Sequence, residues 1–242
     1  MSLKPQLNLL VLKDHNIYHQ LQLEEALFRT HQENWCLLND GTTPAIVVGK
    51  TSCVHRAITN SRYQQFPLPI IRRFTGGGTV VVDENSIICS FILNTKSSRC
   101  PTTMQELIHW IHELLAPAFL PYRLEVSEHD YTIENKKVGG NAQTFSKDRI
   151  VHHISFLWSW EQDRMDLLTH PEKQPHYRQQ RPHESFCSKL KKYFPSRQQL
   201  IQQCIRSFQQ QFICVPVSFK QTTHIQQYPH RTTVEKLSLP FI

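Results

Sequence analysis

Apolar residues recur at helical spacing in three parts of the chain. The first lies between residues 17 and 31, where Gln and Glu separate the apolar positions, and it predicts an amphipathic helix. The second follows Thr103, which has the spacing of a capping pair with Glu106, and the third follows Ser196. The apolar positions are Ile17, Leu21, Leu27 and Phe28 in the first, Met104, Leu107, Ile108, Ile111, Leu114 and Leu115 in the second, and Leu200, Ile201, Cys204, Ile205, Phe208 and Phe212 in the third.

Short apolar runs between these helices predict β-strands. Residues 35–38 and 45–48 are separated by Asn39-Asp40-Gly41, whose Asp-Gly pair predicts a hairpin that joins them. The other runs are residues 70–73, 79–82, 87–93, 123–126, 131–133, 138–144 and 150–157, with a turn at Glu134-Asn135 and a last, edge strand that contains Pro216. Because strands are bracketed by helices and do not alternate regularly with them, we predict an α+β fold.

The composition is that of a folded protein without a membrane-spanning segment. The chain has 242 residues, of which 39% are hydrophobic and 19% charged, and no apolar run approaches the about 20 residues that cross a bilayer. Residues 7–12 are too short an apolar segment for a signal peptide, and the acids that follow argue against a transit peptide. The seven cysteines form no CxxC pair. We expect a soluble cytoplasmic protein whose cysteines are buried free thiols.

The net charge of +7 does not by itself choose a partner. A moderately basic chain suits an acidic protein, a phosphate-bearing small molecule or nucleic acid equally well. Aromatic residues are not interleaved with the basic ones, as platforms for single-stranded nucleic acid require. We therefore expect neither nucleic acid nor a membrane as the partner.

Glycine is scarce and concentrated in two places. Five of the seven glycines form Gly76-Gly77-Gly78 and Gly139-Gly140. A chain this sparing with glycine uses it where φ must be positive or where the backbone must lie against another group. The two clusters are therefore expected to be two loops of one site.

Each cluster has a basic residue nearby that suggests anion binding. Three consecutive glycines leave N–H groups unshielded for a phosphate or carboxylate, to which Arg73 can offer a planar fork of donors. The alternative is a flexible surface turn, which would need neither three glycines nor the β-branched residues after them. Lys137 precedes the second cluster and can place an ammonium over a ligand on bare backbone, although a solvated turn is the alternative there.

The run 150–157 contains adjacent histidines, His152 and His153. Neighbouring strand residues face opposite sides, so only His153 shares a face with Ser155. No metal site is expected, because adjacent strand histidines cannot chelate one ion and no cysteine or carboxylate lies at ligand spacing. Two purely structural histidines are the alternative.

Two further segments have weaker signals. Gly49-Lys50-Thr51 is similar to the end of a P-loop, but Pro44 stands where that loop requires glycine, so we reject it. The basic segment 177–183 could contact a phosphate or an acidic partner, or could be a solvated stretch.

Taken together, the motifs resemble the lipoate-protein ligase A family, within the biotin/lipoate A/B ligases. The resemblance covers residues 16–193, and the motifs occur in the family's order. A segment from Lys173 to Phe186 is similar to a subgroup of that family. The matching motifs are Arg72-Arg73-x-x-Gly76-Gly77-Gly78 with Asp83, Lys137-Val138-Gly139-Gly140-Asn141-Ala142, and His152-His153-x-Ser155-x-Leu157.

The resemblance implies a mixed, largely antiparallel sheet flanked by helices, as in biotin ligases and class II tRNA synthetases. Many ligases of that family carry a separate C-terminal domain, for which residues 194–242 are too few, so we expect one catalytic domain over residues 1–242 without that accessory domain. The resemblance also implies two reactions. Lipoate attacks the α-phosphate of ATP to give lipoyl-AMP and pyrophosphate, with Mg²⁺ expected to accompany ATP. A lysine of a lipoyl domain, in an acyltransferase subunit of a 2-oxoacid dehydrogenase or in the H protein of glycine cleavage, then takes the lipoyl group.

The resemblance also assigns roles to residues. Lys137 is the expected catalytic residue, because its cation can neutralise the carboxylate, the phosphate and the acyl oxygen in turn. Asp130 is expected to orient substrate or metal. The adenylate phosphate is expected against Arg73, Thr75, Gly76, Gly77, Gly78, Thr79, Val80 and Val81, and the remaining pocket residues are Gly139, Gly140, Asn141, Ala142, His153 and Ser155.

Three positions depart from the family pattern: Ile154 replaces a glycine, Val82 a histidine and His129 an asparagine. These departures change polar positions of the pocket and leave the motifs of the reaction in place. Two other functions remain open. One is an octanoyltransferase, which needs a thiol nucleophile and no ATP. The other is a non-catalytic module that binds lipoyl proteins or nucleic acid. A second polypeptide could also assist the chain.

Overall fold

The structure is a computed structural model that describes residues 3–169 and 174–238. In that part of the chain the strands are β1 (Gln6–Lys13), β2 (Trp35–Asp40), β3 (Ala45–Val48), β4 (Ile70–Arg72), β5 (Val80–Val82), β6 (Ser86–Asn94), β7 (Glu125–Ser127), β8 (Asp130–Ile133), β9 (Lys136–Phe145), β10 (Arg149–Leu157), β11 (Ile213–Val217) and β12 (Glu235–Leu237). The helices are α1 (Ile17–Thr30), α2 (Val54–Ala57), α3 (Asn60–Gln65), α4 (Thr95–Ser98), α5 (Met104–Leu115), α6 (Gln162–Met165), α7 (His183–Phe186) and α8 (Arg197–Phe208).

These strands form two sheets. The larger has eight strands in the order β11-β1-β2-β6-β10-β9-β8-β7, and the smaller has four in the order β12-β4-β3-β5. In the larger sheet β1 is parallel to both of its neighbours, and the other pairs are antiparallel. The predicted α+β fold with a mixed, largely antiparallel sheet is confirmed, and β11, which contains Pro216, lies at a sheet edge as predicted.

The predicted hairpin at Asp40-Gly41 is wrong. Strand β2 pairs with β1 and β6 in the larger sheet, whereas β3 pairs with β4 and β5 in the smaller one. Gly41 adopts a φ of +87° and its N–H donates to the carbonyl of Ser86 at 3.0 Å, so the bend leads the chain out of one sheet into the other. The turn at Glu134-Asn135 does join a hairpin, with φ values of +52° and +58°.

The three predicted helices are α1, α5 and α8, and each begins where a side chain caps it. Asn16 accepts from the N–H of Tyr18, and Ser196 accepts from that of Gln199. Thr103 caps α5 by accepting from Glu106 N–H. Two predicted core positions differ: Met104, the first residue of α5, is 53% exposed, and Phe212 is buried but lies beyond the end of α8.

Each face of the larger sheet covers a separate apolar core. Helices α5 and α8 pack on one face, and their core includes Phe91, Phe119, Ile154 and Phe156. Helix α1 and the smaller sheet pack on the other face, which we call the front face. No helix in the described ranges is long and apolar enough to cross a membrane.

All seven cysteines are free thiols. The prediction of buried thiols is confirmed for Cys36, Cys89, Cys100, Cys187 and Cys204. It is wrong for Cys53, which is exposed, and Cys214 is only half-buried.

Candidate active site

Strands β9 and β10 present one polar face towards the smaller sheet. In their register His153 pairs with Ala142 and Ser155 pairs with Gly140, and cross-strand partners share a face. Asp130 on β8 pairs with Gly140 from the other side. Lys137 pairs with Thr132, two residues after Asp130, because the register shifts between Tyr131 and Thr132. Six predicted site residues therefore meet on the front face: Asp130, Lys137, Gly140, Ala142, His153 and Ser155.

His152 and Ile154 face the opposite way, as the alternation predicts. His152 is fully buried, and its Nε2 lies 3.0 Å from the hydroxyl of Tyr131. Burial and the neighbouring His153 lower the pKa of His152 to about 3. Ile154 belongs to the core behind the sheet, so replacing the family glycine there adds no side chain to the front face.

The glycine loop, residues 74–79, connects β4 to β5 and reaches β9. Gly77 has a φ of +95°, and a methyl group placed on it would lie 3.4 Å from Cβ of Ala142. The two glycine clusters therefore converge, but the second lies within strand β9 and not in a loop as predicted. Gly76 and Gly78 face open space, since a Cβ there would meet no atom within 4 Å. The bare backbone expected of this loop is thus accessible from the site.

The second glycine pair provides room for other side chains. A Cβ on Gly139 would lie 2.7 Å from the ring of Phe156, and one on Gly140 would lie 3.1 Å from the Lys137 Nζ. Gly140 therefore leaves space for the ammonium. The next residue, Asn141, donates its amide to the carbonyl of His129 and holds the turn before β8.

The guanidinium of Arg73 is buried and is used by the loop itself. Its Nη2 donates to the carbonyls of Gly76 and Gly78 at 2.7 and 2.8 Å, and its Nε donates to Thr75 Oγ1 at 3.0 Å. Burial lowers the pKa of Arg73 to about 10, partly offset by the charge of Glu24. The guanidinium that the sequence analysis expected to donate to a phosphate therefore donates to the loop itself in this structure.

The rest of the glycine motif lies outside the front face or at its margin. Val80 and Val81 are strand residues that pair with Val47 and Ile46, and Thr79 is half-buried just before them. Asp83 is buried, and its Oδ2 accepts from Arg164 at 2.8 Å. Asp83 is therefore bound to helix α6, a contact that the sequence did not predict.

Lys137 forms an ion pair with Asp130. Nζ lies 2.8 Å from Oδ1, and the other carboxylate oxygen accepts from the Tyr177 hydroxyl at 2.9 Å. Burial would lower the pKa of Lys137, but the charge and hydrogen bond of Asp130 outweigh it and raise the pKa above its usual value. The ammonium is therefore cationic at neutral pH and stands on the front face.

Tyr177 comes from the basic segment 177–183, which the sequence left undecided. Arg178 and Arg181 lie over the ring of Phe186, with guanidinium carbons 4.8 and 5.5 Å from its centroid. Desolvation and the nearby Asp130 raise the pKa of Tyr177, so its hydroxyl remains protonated and donates. Lys173, where the resemblance to a subgroup begins, lies outside the described residues.

Sequence reasoning missed three residues that border this site. Gly49 is one: a Cβ there would lie 2.1 Å from the carbonyl oxygen of Gly77. Glu24 is fully buried on α1 and accepts from His153 Nδ1 at 3.1 Å. Cys187 forms an isolated parallel bridge with Lys137, and burial raises the pKa of its thiol to about 11.

Residues 16–213 match the lipoyl protein ligase A/B catalytic domain. The chain belongs to that family. A relative from Plasmodium falciparum, named inactive lipoate–protein ligase 2, is 28% identical over 236 residues, covering 73% of this chain and 61% of its own length. The chain thus spans about three fifths of that relative.

Solved structures share the fold of this family member. A putative lipoate protein ligase from Thermoplasma acidophilum with bound lipoic acid has a TM-score of 0.75 at 14% identity, covering 93% and 94% of the two chains. A bi-partite ligase from the same organism, described with its E2 lipoyl domain, has a TM-score of 0.74 at 16% identity and covers 93% and 91%. A lipoate-protein ligase A bound with ATP has a TM-score of 0.73 at 15% identity and covers 93% of each chain. The resemblance to lipoate-protein ligase A and its fold is confirmed.

Proposed function

We propose that the chain activates lipoate with ATP to form lipoyl-AMP and then transfers the lipoyl group to a lysine of a lipoyl domain. The observation that carries this proposal is the convergence of the two glycine segments beside one ammonium. Gly77 packs against Ala142, and Gly140 leaves space for Nζ of Lys137. An acyl-adenylate needs a phosphate site, a space for the acyl carbonyl and a cation close together. The glycine loop, the Gly139-Gly140 segment and the Lys137 ammonium meet at the front face and can supply them.

Lys137 is the catalytic residue in this proposal. Negative charge develops on phosphate oxygens in the first step and on the acyl oxygen in the second, and a preorganised cation stabilises both. The raised pKa of Lys137 keeps that cation present at neutral pH. The open backbone at Gly76 and Gly78 supplies N–H groups for the phosphate, while His153 and Ser155 border the acyl group.

Magnesium is proposed to accompany ATP and not to have its own protein site. In the described part of the chain, no three His, Cys, Asp or Glu residues are grouped so as to hold a metal ion. Asp130 is the carboxylate beside Lys137, and both of its oxygens already accept hydrogen bonds. Mg²⁺ commonly binds through substrate phosphates with few protein ligands, which suits this arrangement.

The partners are proposed to be lipoyl domains of acyltransferase subunits or H protein. The bi-partite archaeal ligase and its E2 lipoyl domain support this choice and also support a separate accessory chain. The basic charge of +7 would favour an acidic docking surface. We also propose a single catalytic domain that works in the cytoplasm.

Adenylate formation before any acceptor is added tests the first step. Purified chain is incubated with labelled ATP and either lipoate or octanoate, and lipoyl- or octanoyl-AMP is measured. We expect Lys137→Ala to reduce the rate by about 100-fold or more, as removal of one preorganised charge stabiliser does. Lys136→Ala is the matched control, since it removes the neighbouring ammonium. Adenylate at the no-protein background for both wild type and Lys137→Ala would favour the non-catalytic module, which the inactive Plasmodium relative also supports.

Cys187 supports a second candidate, an octanoyltransferase that needs no ATP. Its backbone bridges to Lys137, and it is the cysteine next to the catalytic ammonium. A raised pKa, about 11, argues against a resting thiolate and therefore ranks this candidate second. Loss of acyl transfer from an octanoylated carrier protein in Cys187→Ser, with no dependence on ATP, would reverse this order.

A further inference from the structure

A row of four side chains connects helix α1 to the glycine loop. Glu24 Oε2 lies 3.1 Å from His153 Nδ1, and His153 Nε2 lies 3.1 Å from the hydroxyl oxygen of Thr75. That oxygen accepts from Arg73 Nε at 3.0 Å. Arg73 ends the row by donating Nη2 to two carbonyls of the glycine loop, at 2.7 and 2.8 Å.

The donors and acceptors in this row point in one direction. A carboxylate can only accept, so Nδ1 of His153 must carry the proton that faces Glu24. Thr75 already accepts from Arg73, and its own proton is then available for Nε2 of His153. The row is therefore satisfied when His153 is the Nδ1–H tautomer, which leaves Thr75 as an acceptor for the guanidinium that holds the loop.

The Glu24 carboxylate is fixed from its other side. Oε1 accepts from Gln20 Nε2 at 2.9 Å and from Ser90 Oγ at 2.6 Å. Gln20 cannot turn over freely, because its own oxygen accepts from Asn39 Nδ2 at 2.9 Å. Glu24 is fully buried, and the buried positive charge of Arg73 attracts its carboxylate. The carboxylate is thus committed to three donors in a place where an unmade hydrogen bond is costly.

We propose that Glu24 is a positioning residue that sets the tautomer of His153 and, through Thr75 and Arg73, the shape of the glycine loop. The kinetic consequence rests on the proposed function, whereas the tautomer does not. The carboxylate acts from α1, about fifty residues before the loop in sequence. It needs no contact with substrate to influence how the loop binds a phosphate.

Glu24→Gln tests the direction of the row. Gln20 and Ser90 require an oxygen at the inner position, so the amide nitrogen of the substituted residue must face His153. We therefore expect the nitrogen NMR spectrum to show His153 as Nδ1–H in the wild type and as Nε2–H in the variant. With Thr75 then accepting from both sides, we expect the KM for ATP in adenylate formation to rise about tenfold, with a smaller change in kcat.

Glu25→Gln is the matched control. Glu25 is also fully buried on α1, but it accepts from Thr233 and Val234 near the C-terminal end of the described chain and from Arg29. The Glu25→Gln substitution should lower thermal stability as Glu24→Gln does. It should leave the His153 tautomer and the KM for ATP as in the wild type.

Two results would overturn the proposal. One is a wild-type His153 with its proton on Nε2 or with both nitrogens protonated, a measurement that does not depend on any variant folding. The other is a Glu24→Gln protein with an unchanged tautomer. If the wild type shows the Nδ1–H tautomer but forms no adenylate, the positioning row stands and the proposed ligase function fails.

Discussion

Gly49 and Gly77 lie so close that neither backbone could move towards the other. A Cβ on Gly49 would be 2.1 Å from the Gly77 carbonyl oxygen, and Ser52 Oγ donates to that same oxygen at 3.2 Å. The N–H of Lys50 donates to the carbonyl of Thr75 at 2.9 Å. The segment after β3 is therefore a support on which the glycine loop rests.

Gly49→Ala should disturb this support. The methyl group would meet backbone, which cannot rotate away as a side chain can, so the loop must shift. We expect the KM for ATP in adenylate formation to rise about tenfold or more, because small displacements of binding groups cost much of their effect. The thermal midpoint should fall only slightly, since the loop is exposed at Gly77 and Gly78.

Lys50→Ala is the control for this substitution. It keeps the backbone hydrogen bond to Thr75 and removes only an exposed side chain. An unchanged KM for ATP in Gly49→Ala would show that the loop tolerates displacement and does not position the nucleotide.

The sequence predicted the local structure and the convergence of the two glycine segments better than it predicted long-range strand pairing. Helical spacing placed α1, α5 and α8, and the scarcity of glycine identified the two segments that converge. The prediction of a hairpin at Asp40-Gly41 was wrong because the same bend can either join two paired strands or lead the chain into another sheet. That choice depends on partners elsewhere, here β1, β4, β5 and β6.

The site residues that were not predicted differ in how strong a signal the sequence carried for them. Glu24 had a signal, since it lies three residues after Leu21 and three before Leu27 on the buried stripe of α1, where a carboxylate needs a partner. Cys187 had none, because only the fold brings it to Lys137.

The Asp130–Lys137 pair predicts a change in pH dependence. Asp130→Asn removes the charge that raises the pKa of Lys137 and leaves burial, which lowers that pKa, as the largest influence. The ammonium should be lost at lower pH, so the alkaline fall of adenylate formation should move down the pH scale. The rate should be measured between about pH 7 and 10 and normalised to each protein's neutral value.

A control separates charge from hydrogen bonding at this pair. Tyr177→Phe removes the hydroxyl that donates to Asp130 and keeps the carboxylate charge. We expect its alkaline limb to stay close to that of the wild type. If Asp130→Asn also leaves the alkaline limb in place, the ionisation of Lys137 does not govern the reaction.

His152 predicts an acid-dependent loss of stability. Its pKa is about 3 in the folded chain against 6.5 for the unperturbed group, so below the higher value the unfolded chain binds a proton that the folded chain does not. The free energy of unfolding should therefore fall as pH decreases through this window, by at most about 1.4 kcal/mol per pH unit from this residue.

His152→Gln should remove that contribution. An amide can still form a hydrogen bond with the hydroxyl of Tyr131 but does not titrate in this range. Urea unfolding between about pH 6 and 4 should give a shallower pH dependence for the variant. Parallel curves for the two proteins would contradict the assignment of a neutral, buried His152.

The net charge of +7 predicts that lipoyl transfer slows with salt. A basic ligase attracts an acidic lipoyl domain over distances near the screening length, which shortens from about 10 Å at 0.1 M salt to about 3 Å at 1 M. We expect kcat/KM for the lipoyl domain to fall severalfold when ionic strength rises over this range. Adenylate formation serves as the internal control, because its substrates are small and their binding groups lie within the site. A transfer rate that is independent of salt, with adenylation also unchanged, would remove charge as the basis of partner choice and leave shape and contact chemistry to account for docking.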